Sequence, residues 1–464
     1  MEPGPDEDGA SAGGVEAGWR RRLRTWTEDT ALNLAALRVT VGVVVLQLPD
    51  LRHAPAYASL PPAVRSAPVG LGPWLRWLGP EVVAPLTAVV VLALLLGTVG
   101  LFTRTAWTVA AIGLLVVLGV PHTVGAVFHD HHLVWLAALL AASPSGDALS
   151  VDAWRAARRG RRLERGRSVA YGLPLRFAWV LLGMVFFFPG LWKVLTGGAA
   201  WVLGDNLRFQ MYAKWAQNEG FRPPFRVDRF PALLHLGALY VVLLELSFGA
   251  LVLFRRTRLW AVGGALAFHA LTALFLNLRF SALWLCYVAF VDVSDLLGRD
   301  EPPQEDRGPA EVRPILTVGT VLVAGAFAFG AAGISEGWPF ACYPKFDRVL
   351  TDPSLPALEV EVVDPEGARR TLGVRELNPD GATPRWWALS WSLIGAYDGV
   401  PATPERFRAW WGRVGPPLPP GSTVRFSRVR VSTVPEEADA PPRDRRVLTE
   451  IALPEPSEAR PGTP

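Results

Sequence analysis

Long apolar runs, separated by short segments that carry arginine, dominate the chain up to about residue 333. A run such as LTAVVVLALLLGTVGLF (86–102) is about as long as a helix that crosses a bilayer. A soluble core would not use such runs repeatedly. The pattern predicts nine membrane-spanning helices, near residues 31–49, 82–102, 105–121, 130–145, 171–195, 231–254, 258–277, 280–298 and 313–333.

After residue 334 the pattern changes, because charged, proline-rich and alternating segments replace the long apolar runs. Residues 358–364 and 422–432 alternate with period two, as half-buried strands do. Residues 403–415 have a threonine cap, a proline at the first helical position and a terminal glycine, which predicts a short helix. The predicted fold is an all-α polytopic membrane bundle of about nine transmembrane helices with a small β-rich soluble domain at the C-terminus.

The distribution of arginine predicts the orientation of the bundle. Residues 152–167 contain seven arginines, whereas the predicted outer segments 50–80, 122–129 and 196–230 hold fewer for their length. Cytoplasmic loops carry the excess of basic residues, so we expect a multi-pass protein of the cell membrane with a cytoplasmic N-terminus and an extracytoplasmic C-terminal domain. The predicted divisions are a cytoplasmic segment (1–29), the bundle (30–333), the extracytoplasmic domain (334–453) and a disordered tail (454–464).

Composition supports a membrane protein and argues against nucleic-acid binding. Half of the 464 residues are apolar, and the net charge of +4 comes from arginines clustered between apolar runs, as in membrane loops. The two cysteines, Cys286 and Cys342, form neither a CxxC nor a Cys/His zinc spacing. We therefore expect the lipid bilayer, and no nucleic acid, as a partner.

One lysine stands out in a chain that otherwise uses arginine. Of 46 basic residues only Lys193, Lys214 and Lys345 are lysine, and Lys193 ends FFFPGLWK near the outer end of the fifth predicted span. Its ammonium could reach the membrane interface from there, but arginine would do so equally well. Only a residue that must lose its proton requires lysine, which makes Lys193 a candidate base.

A histidine-rich segment, FHDHHLVW (128–135), lies before the fourth predicted span. His129 and His132 are three residues apart and could bind a metal ion, but a solvated polar loop explains the segment equally well, and we predict no metal site. His132 adjoins the apolar span and is the histidine we expect to face a cavity in the bundle.

Other polar residues lie within the apolar spans, where each ionisable side chain is a candidate site residue. Glu245, in the middle of the sixth span, must be protonated or paired with a cation on a neighbouring helix. His269 and Asn277 are eight residues apart in the seventh span, so one helix face can carry both, and Arg279 follows. Hydrogen bonds between helices are the structural alternative for Glu245 and His269.

These segments resemble a known family. FFPGLWK followed by AAWVLG, with Lys193, Trp201 and Gly204, is similar to the core motif of the vitamin K-dependent γ-carboxylase and its bacterial relatives, the HTTM (horizontally transferred transmembrane) domain proteins. The resemblance covers about residues 30–346. Further segments that fit in the same order are LRVTVGVVVL, DHHLVWL, SPSGDALSVDAW, FHALTALFLNLRFSALW and WPFACYPKF.

The resemblance implies a carboxylase, a carbon–carbon lyase, that uses a reduced quinone. In this family a lysine deprotonates reduced vitamin K, oxygen then gives the epoxide, and the strong base formed removes a γ-proton from a glutamate so that carbon dioxide can add. Lys193 and His132 are thus the expected catalytic residues, with His131 as the alternative if the register slips by one. The expected quinone-binding residues are His131, Glu245, His269, Asn277 and Arg279.

The expected cofactor is reduced vitamin K or menaquinol, with oxygen and carbon dioxide as co-substrates and a protein or peptide as the possible substrate. The chain departs from the carboxylase in its soluble region, which is much shorter and has no recognisable propeptide-binding segment. The competing hypothesis is a non-enzymatic membrane protein or transporter in which the same polar residues line the path of a small molecule.

Overall fold

The computed structural model describes residues 24–125, 130–160, 166–218, 221–299, 302, 308–341, 346, 348–378, 385–396 and 400–454. Most of them are helical, and a small antiparallel sheet lies near the C-terminus. The helices are α1 (Ala31–Gln47), α2 (Pro49–Ala58), α3 (Gly72–Leu75), α4 (Pro80–Val99), α5 (Thr103–Val117), α6 (His131–Ala142), α7 (Val151–Arg158), α8 (Val169–Trp192), α9 (Gly198–Leu203), α10 (Asn206–Gln217), α11 (Pro231–Leu251), α12 (Arg255–Leu276), α13 (Ser281–Trp284), α14 (Val293–Leu296), α15 (Pro309–Ala331), α16 (Val374–Leu377), α17 (Trp386–Leu393) and α18 (Pro404–Val414). The strands are β1 (Val69–Gly70), β2 (Gly337–Trp338), β3 (Ser354–Val363), β4 (Arg369–Thr371), β5 (Thr423–Ser432) and β6 (Arg443–Ala452).

Six helices in the described part of the chain are long and apolar enough to cross a membrane, or seven if the bent pair α1 and α2 forms one span. Nine spans are not confirmed. The fourth and eighth predicted spans correspond to the short apolar helices His131–Ala142 and Ser281–Phe290. At about 1.5 Å per residue, neither covers a hydrocarbon core of about 30 Å.

The sequence of the short helix α6 resembles a membrane span because the helix is buried inside the bundle. Ten of its 12 residues are buried, so it is surrounded by other helices and is apolar on every side. A window of apolar residues does not distinguish such a central helix from one that faces lipid. The chain leaves helical geometry at Ser143, directly before Pro144.

Helices α8 and α11 pack closely against each other. A Cβ atom on Gly183 would lie 2.9 Å from the Cα atom of Gly249, so the two backbones are in direct contact there. Gly190 provides a second close approach, because a Cβ atom on it would lie 2.7 Å from the Cβ atom of Glu245. Small residues on facing helices therefore bring the end of α8 against the middle of α11.

The C-terminal domain contains a sheet of strand order β4-β3-β5-β6 with antiparallel pairing throughout. The two strands and the helix expected from the alternating and capped segments are present as β3, β5 and α18. Phe407 of α18 stacks on Phe426 of β5 at 4.9 Å between ring centroids, and both are fully buried. The exposed strand β6 was not predicted, because its sequence, RDRRVLTEIA, lacks a clear apolar alternation.

Buried polar contacts attach this domain to the bundle. The guanidinium of Arg385 contacts the carboxylate of Asp50 in α2 and, at 3.1 Å, the Nδ1 atom of His122. The indole of Trp338 is fully buried and donates to the carbonyl of Leu115 at 2.7 Å. The boundary expected at residue 334 therefore lies in a region where the C-terminal domain and the bundle pack against each other.

Candidate functional site

Lys193 occupies a widened turn at the end of α8. Residues Lys193–Gly197 form a π-helical turn before the chain continues into α9. Pro189, four residues before Lys193, has no backbone N–H group to donate within the helix. Single π turns of this kind often occur at functional sites, because they re-aim a side chain without ending the helix.

The ammonium of Lys193 is buried in the bundle and paired with a carboxylate. Its Nζ atom lies 2.7 Å from both Oε1 and Oε2 of Glu245 on α11, and the two residues are only 2% and 6% exposed. The Trp201 ring lies 5.4 Å from the same Nζ atom. The ammonium of Lys193 therefore binds Glu245 inside the bundle. Glu245 in turn has the cationic partner that a carboxylate in an apolar span requires.

The Pro-Gly pair before Lys193 matters because Gly190 lets α11 approach. We expect Gly190→Ala to lower the free energy of unfolding by about 1–3 kcal/mol, because its methyl group would overlap the Glu245 side chain and push the helices apart. Chemical unfolding in mixed micelles measures the effect. Gly263→Ala on α12 is the matched control, since a Cβ atom there meets nothing within 4 Å. Equal stability of the two variants would contradict the close-approach explanation.

A cavity of about 230 Å³ lies beside the ion pair, between α8, α11 and α12. Its walls are mostly aliphatic and aromatic side chains, among them Phe186, Val241 and Phe275. The polar side chains in its lining are those of Lys193, Gln210, Tyr240, Glu245, His269 and Thr272. An apolar chamber with a few convergent polar groups is the usual form of a small-molecule site.

His269 contributes a second polar position to the cavity wall. Its Nε2 atom lies 2.8 Å from the hydroxyl of Tyr287, and its side chain is buried. Its other ring nitrogen, Nδ1, is buried and has no hydrogen-bond partner among the residues that the structure describes. Buried polar atoms are normally paired, so this covered Nδ1 atom of a cavity-lining residue is an unmet hydrogen-bonding position.

The first two residues of α6, His131 and His132, do not line this cavity. The Nε2 atom of His132 lies 2.9 Å from the carbonyl of Ala282, and the ring of His131 lies 5.0 Å from that of Trp135. His129 lies outside the described residues. Within the described ranges no group of three or more histidine, cysteine or acidic residues could hold a metal ion.

Asn277 and Arg279 are not among the residues that line the cavity, although their neighbours Leu276 and Phe280 are. Helix α12 ends at Leu276, and Asn277 is its C-cap with a left-handed φ of 54°. The helix face that was expected to carry both His269 and Asn277 therefore does not extend that far. Arg279 is exposed.

Through the family resemblance the sequence assigned Lys193, Glu245 and His269 to one expected quinone site, but it did not pair Lys193 with Glu245. It also missed Tyr287, which fixes the orientation of the His269 ring. A usable signal was present, since a carboxylate in one apolar span and an amine in another each require a partner. The hydroxyl of Tyr287 gave a weaker signal, because a tyrosine in an apolar run fits a buried core equally well.

Comparison with known proteins adds no assignment to this geometry. No family model, no curated protein and no solved structure matches the chain. The similarity to the γ-carboxylase motifs therefore stays a hypothesis, and the features of the molecule that point to a function are the ion pair, the cavity and the unpaired histidine nitrogen.

Proposed function

We propose that the chain is an integral membrane enzyme that binds a reduced quinone in the cavity beside Lys193 and Glu245 and removes a proton from it. The observation that carries this proposal is the buried ion pair in the wall of an apolar cavity. The apolar walls suit an aromatic ring and an isoprenoid tail, and the ion pair suits a hydroxyl group. The motif resemblance supports the same reading and suggests epoxidation-coupled carboxylation of a substrate still to be identified.

The ion pair refines the role of the candidate base. An ammonium has no lone pair, so Lys193 cannot accept a proton while it carries three of its own. A carboxylate oxygen of Glu245 can accept the proton from a bound hydroxyl group directly, or it can take one from Lys193 and leave a neutral amine as the acceptor. In both routes the pair gains one proton, and its new positive charge offsets the negative charge left on the ligand oxygen.

His269 supplies a contact away from the ion pair. With Nε2 held by the Tyr287 hydroxyl, Nδ1 is the ring atom left for a second oxygen of the ligand. A hydroquinone has two oxygens on opposite sides of its ring, and two polar positions in one apolar cavity suit such a molecule. When bound, the reduced quinone would be the molecule that reacts with oxygen. Lys193, Glu245 and His269 would bind it, orient it and hold the proton.

The assay that tests this proposal uses the full chain in lipid nanodiscs with menaquinol or vitamin K hydroquinone, oxygen and bicarbonate. The product measured is the quinone epoxide. We expect Gly237→Phe to lower its formation at least about tenfold, because a phenylalanine at this cavity-lining position would occupy the ligand space. A Cβ atom on Gly237 meets only Leu207 at 3.6 Å, so the helix itself tolerates a side chain there.

Gly263→Phe is the matched control, because Gly263 lies outside the cavity lining and a Cβ atom there meets nothing within 4 Å. We expect its epoxide formation to stay within about twofold of the natural chain. The proposal fails if the natural chain forms no epoxide from either hydroquinone. Binding of the hydroquinone without turnover would favour the competing hypothesis, a protein that carries or holds a small molecule.

A further inference from the structure

Two arginine–arginine pairs lie across the β5–β6 contact of the C-terminal sheet. Arg428 and Arg430 are two residues apart on β5, so their side chains leave the same face. Their cross-strand partners on β6 are Arg446 and Arg443, respectively. Directly opposed residues of neighbouring strands share a face, so the two arginines of each pair lie together, and a register shift separates the two pairs.

The two pairs differ in how their charges are compensated. Arg430 donates to the carboxylate of Asp352 at 2.8 Å, and Arg443 lies 3.5 Å from a carboxylate oxygen of Glu437. Arg428 and Arg446 have neither a hydrogen bond nor an ion pair with any residue that the structure describes. Like charges directly opposite each other across a strand pair are unfavourable, and no acidic side chain among the described residues bonds either guanidinium.

Protection of the sheet edge does not explain the pair. Charged residues on an edge strand prevent unwanted strand pairing, and Arg446 on the edge strand β6 could serve that purpose. Arg428, however, lies on β5, which has β3 on one side and β6 on the other. Its side chain is half-buried, and the residue opposite it on β3 is the apolar Leu358.

We propose that Arg428 and Arg446 together bind a phosphate group. Each guanidinium offers a planar fork of N–H donors that matches two oxygens of an oxyanion, and a tetrahedral dianion has enough oxygens and charge for both forks. Asp352 pairs with Arg430, and Glu437 pairs with Arg443. Of the two arginine pairs, only Arg428 and Arg446 therefore lack an acidic partner among the described residues. The inference does not depend on quinone chemistry, and its test involves no turnover.

Thermal unfolding of the full chain in maltoside micelles, with sodium phosphate compared against sodium chloride of equal ionic strength, tests the site. We expect phosphate to raise Tm by about 2–4 °C beyond chloride. In Arg428→Gln this difference should disappear. The same variant should have a higher Tm than the natural chain in phosphate-free buffer, because the repulsion is removed.

Two further variants keep the test specific. Arg428→Lys retains the charge but not the fork, so its apparent affinity for phosphate should fall by about tenfold. Arg369→Gln on β4 removes an exposed arginine that faces Val363, and it should respond to phosphate as the natural chain does. Equal stabilisation by phosphate and chloride in the natural chain, or an unchanged response in Arg428→Gln, would refute the site.

The phosphate group could belong to a free molecule or to a lipid. Repeating the titration in nanodiscs with and without phosphatidic acid separates the two sources. If the lipid headgroup occupies the arginine pair, added inorganic phosphate will no longer raise Tm in nanodiscs that contain phosphatidic acid. If the ligand is a free phosphate compound, the rise persists in both kinds of nanodisc.

Discussion

Glu245→Met should lower the free energy of unfolding by about 3–5 kcal/mol, because it leaves the Lys193 ammonium buried without a counter-charge. The side chain that replaces the carboxylate has a similar volume, so the loss comes from the charge and not from an empty space. Unfolding of the full chain by denaturant in mixed micelles measures the change. Lys193→Met should cost a similar amount, since it leaves the carboxylate unpaired.

The double variant Lys193→Met/Glu245→Met separates the charge effect from packing. When both buried charges are removed, the free-energy cost of taking them out of water is removed as well. Replacing a buried ion pair by apolar side chains is therefore often neutral or stabilising. We therefore expect the double variant to unfold within about 1 kcal/mol of the natural chain and to form no epoxide. A double variant as unstable as either single variant would mean that packing around the pair, and not its charge, supports the bundle.

On the route in which the proton passes through Lys193, Lys193→Arg should lower epoxide formation by about 10²–10⁴-fold, the usual contribution of a positioned acid–base group, whereas direct transfer to Glu245 would survive the exchange. A guanidinium keeps its proton at any pH at which the protein is folded, so it can neutralise Glu245 but cannot pass a proton to it. Epoxide formation in a single turnover measures the loss. The unfolding free energy of the same sample shows whether the variant remains folded.

Lys214→Arg is the matched control for this exchange. Lys214 is half-buried on α10, donates to the side chain of Gln217 and lies outside the cavity lining. Its replacement makes the same chemical change without touching the ion pair, and turnover should stay within about twofold. Equal turnover in Lys193→Arg and Lys214→Arg would end the proton-acceptor role of Lys193.

Much of the architecture could be predicted, because hydrophobic periodicity is a local property. The apolar helices α4, α5, α8, α11, α12 and α15 fall within or close to the windows read from the sequence. The number of spans could not be predicted in this way, because the apolar side chains of α6 pack against neighbouring helices and not against lipid. Hydropathy reports how apolar an environment is and not what provides it.

The site was predictable residue by residue but not as an arrangement. The need of Glu245 for a cation followed from its position in an apolar span, whereas the choice of Lys193 depends on how closely α8 and α11 approach at Gly190. That distance is a tertiary property of two segments 52 residues apart. Asn277 was placed on the same helix face as His269 on the assumption that the helix includes it. In the structure the helix ends one residue earlier, at Leu276.

The contact between Arg385 and Asp50 has a consequence for biosynthesis. The two residues are separated by 335 positions, so the carboxylate of Asp50 is made long before its guanidinium partner leaves the ribosome. The packing around α2 cannot be completed until the C-terminal domain has folded beside it. A chain that stops after α15 would leave Asp50 without the guanidinium, so this surface of the bundle would stay unfinished and open to quality-control proteolysis.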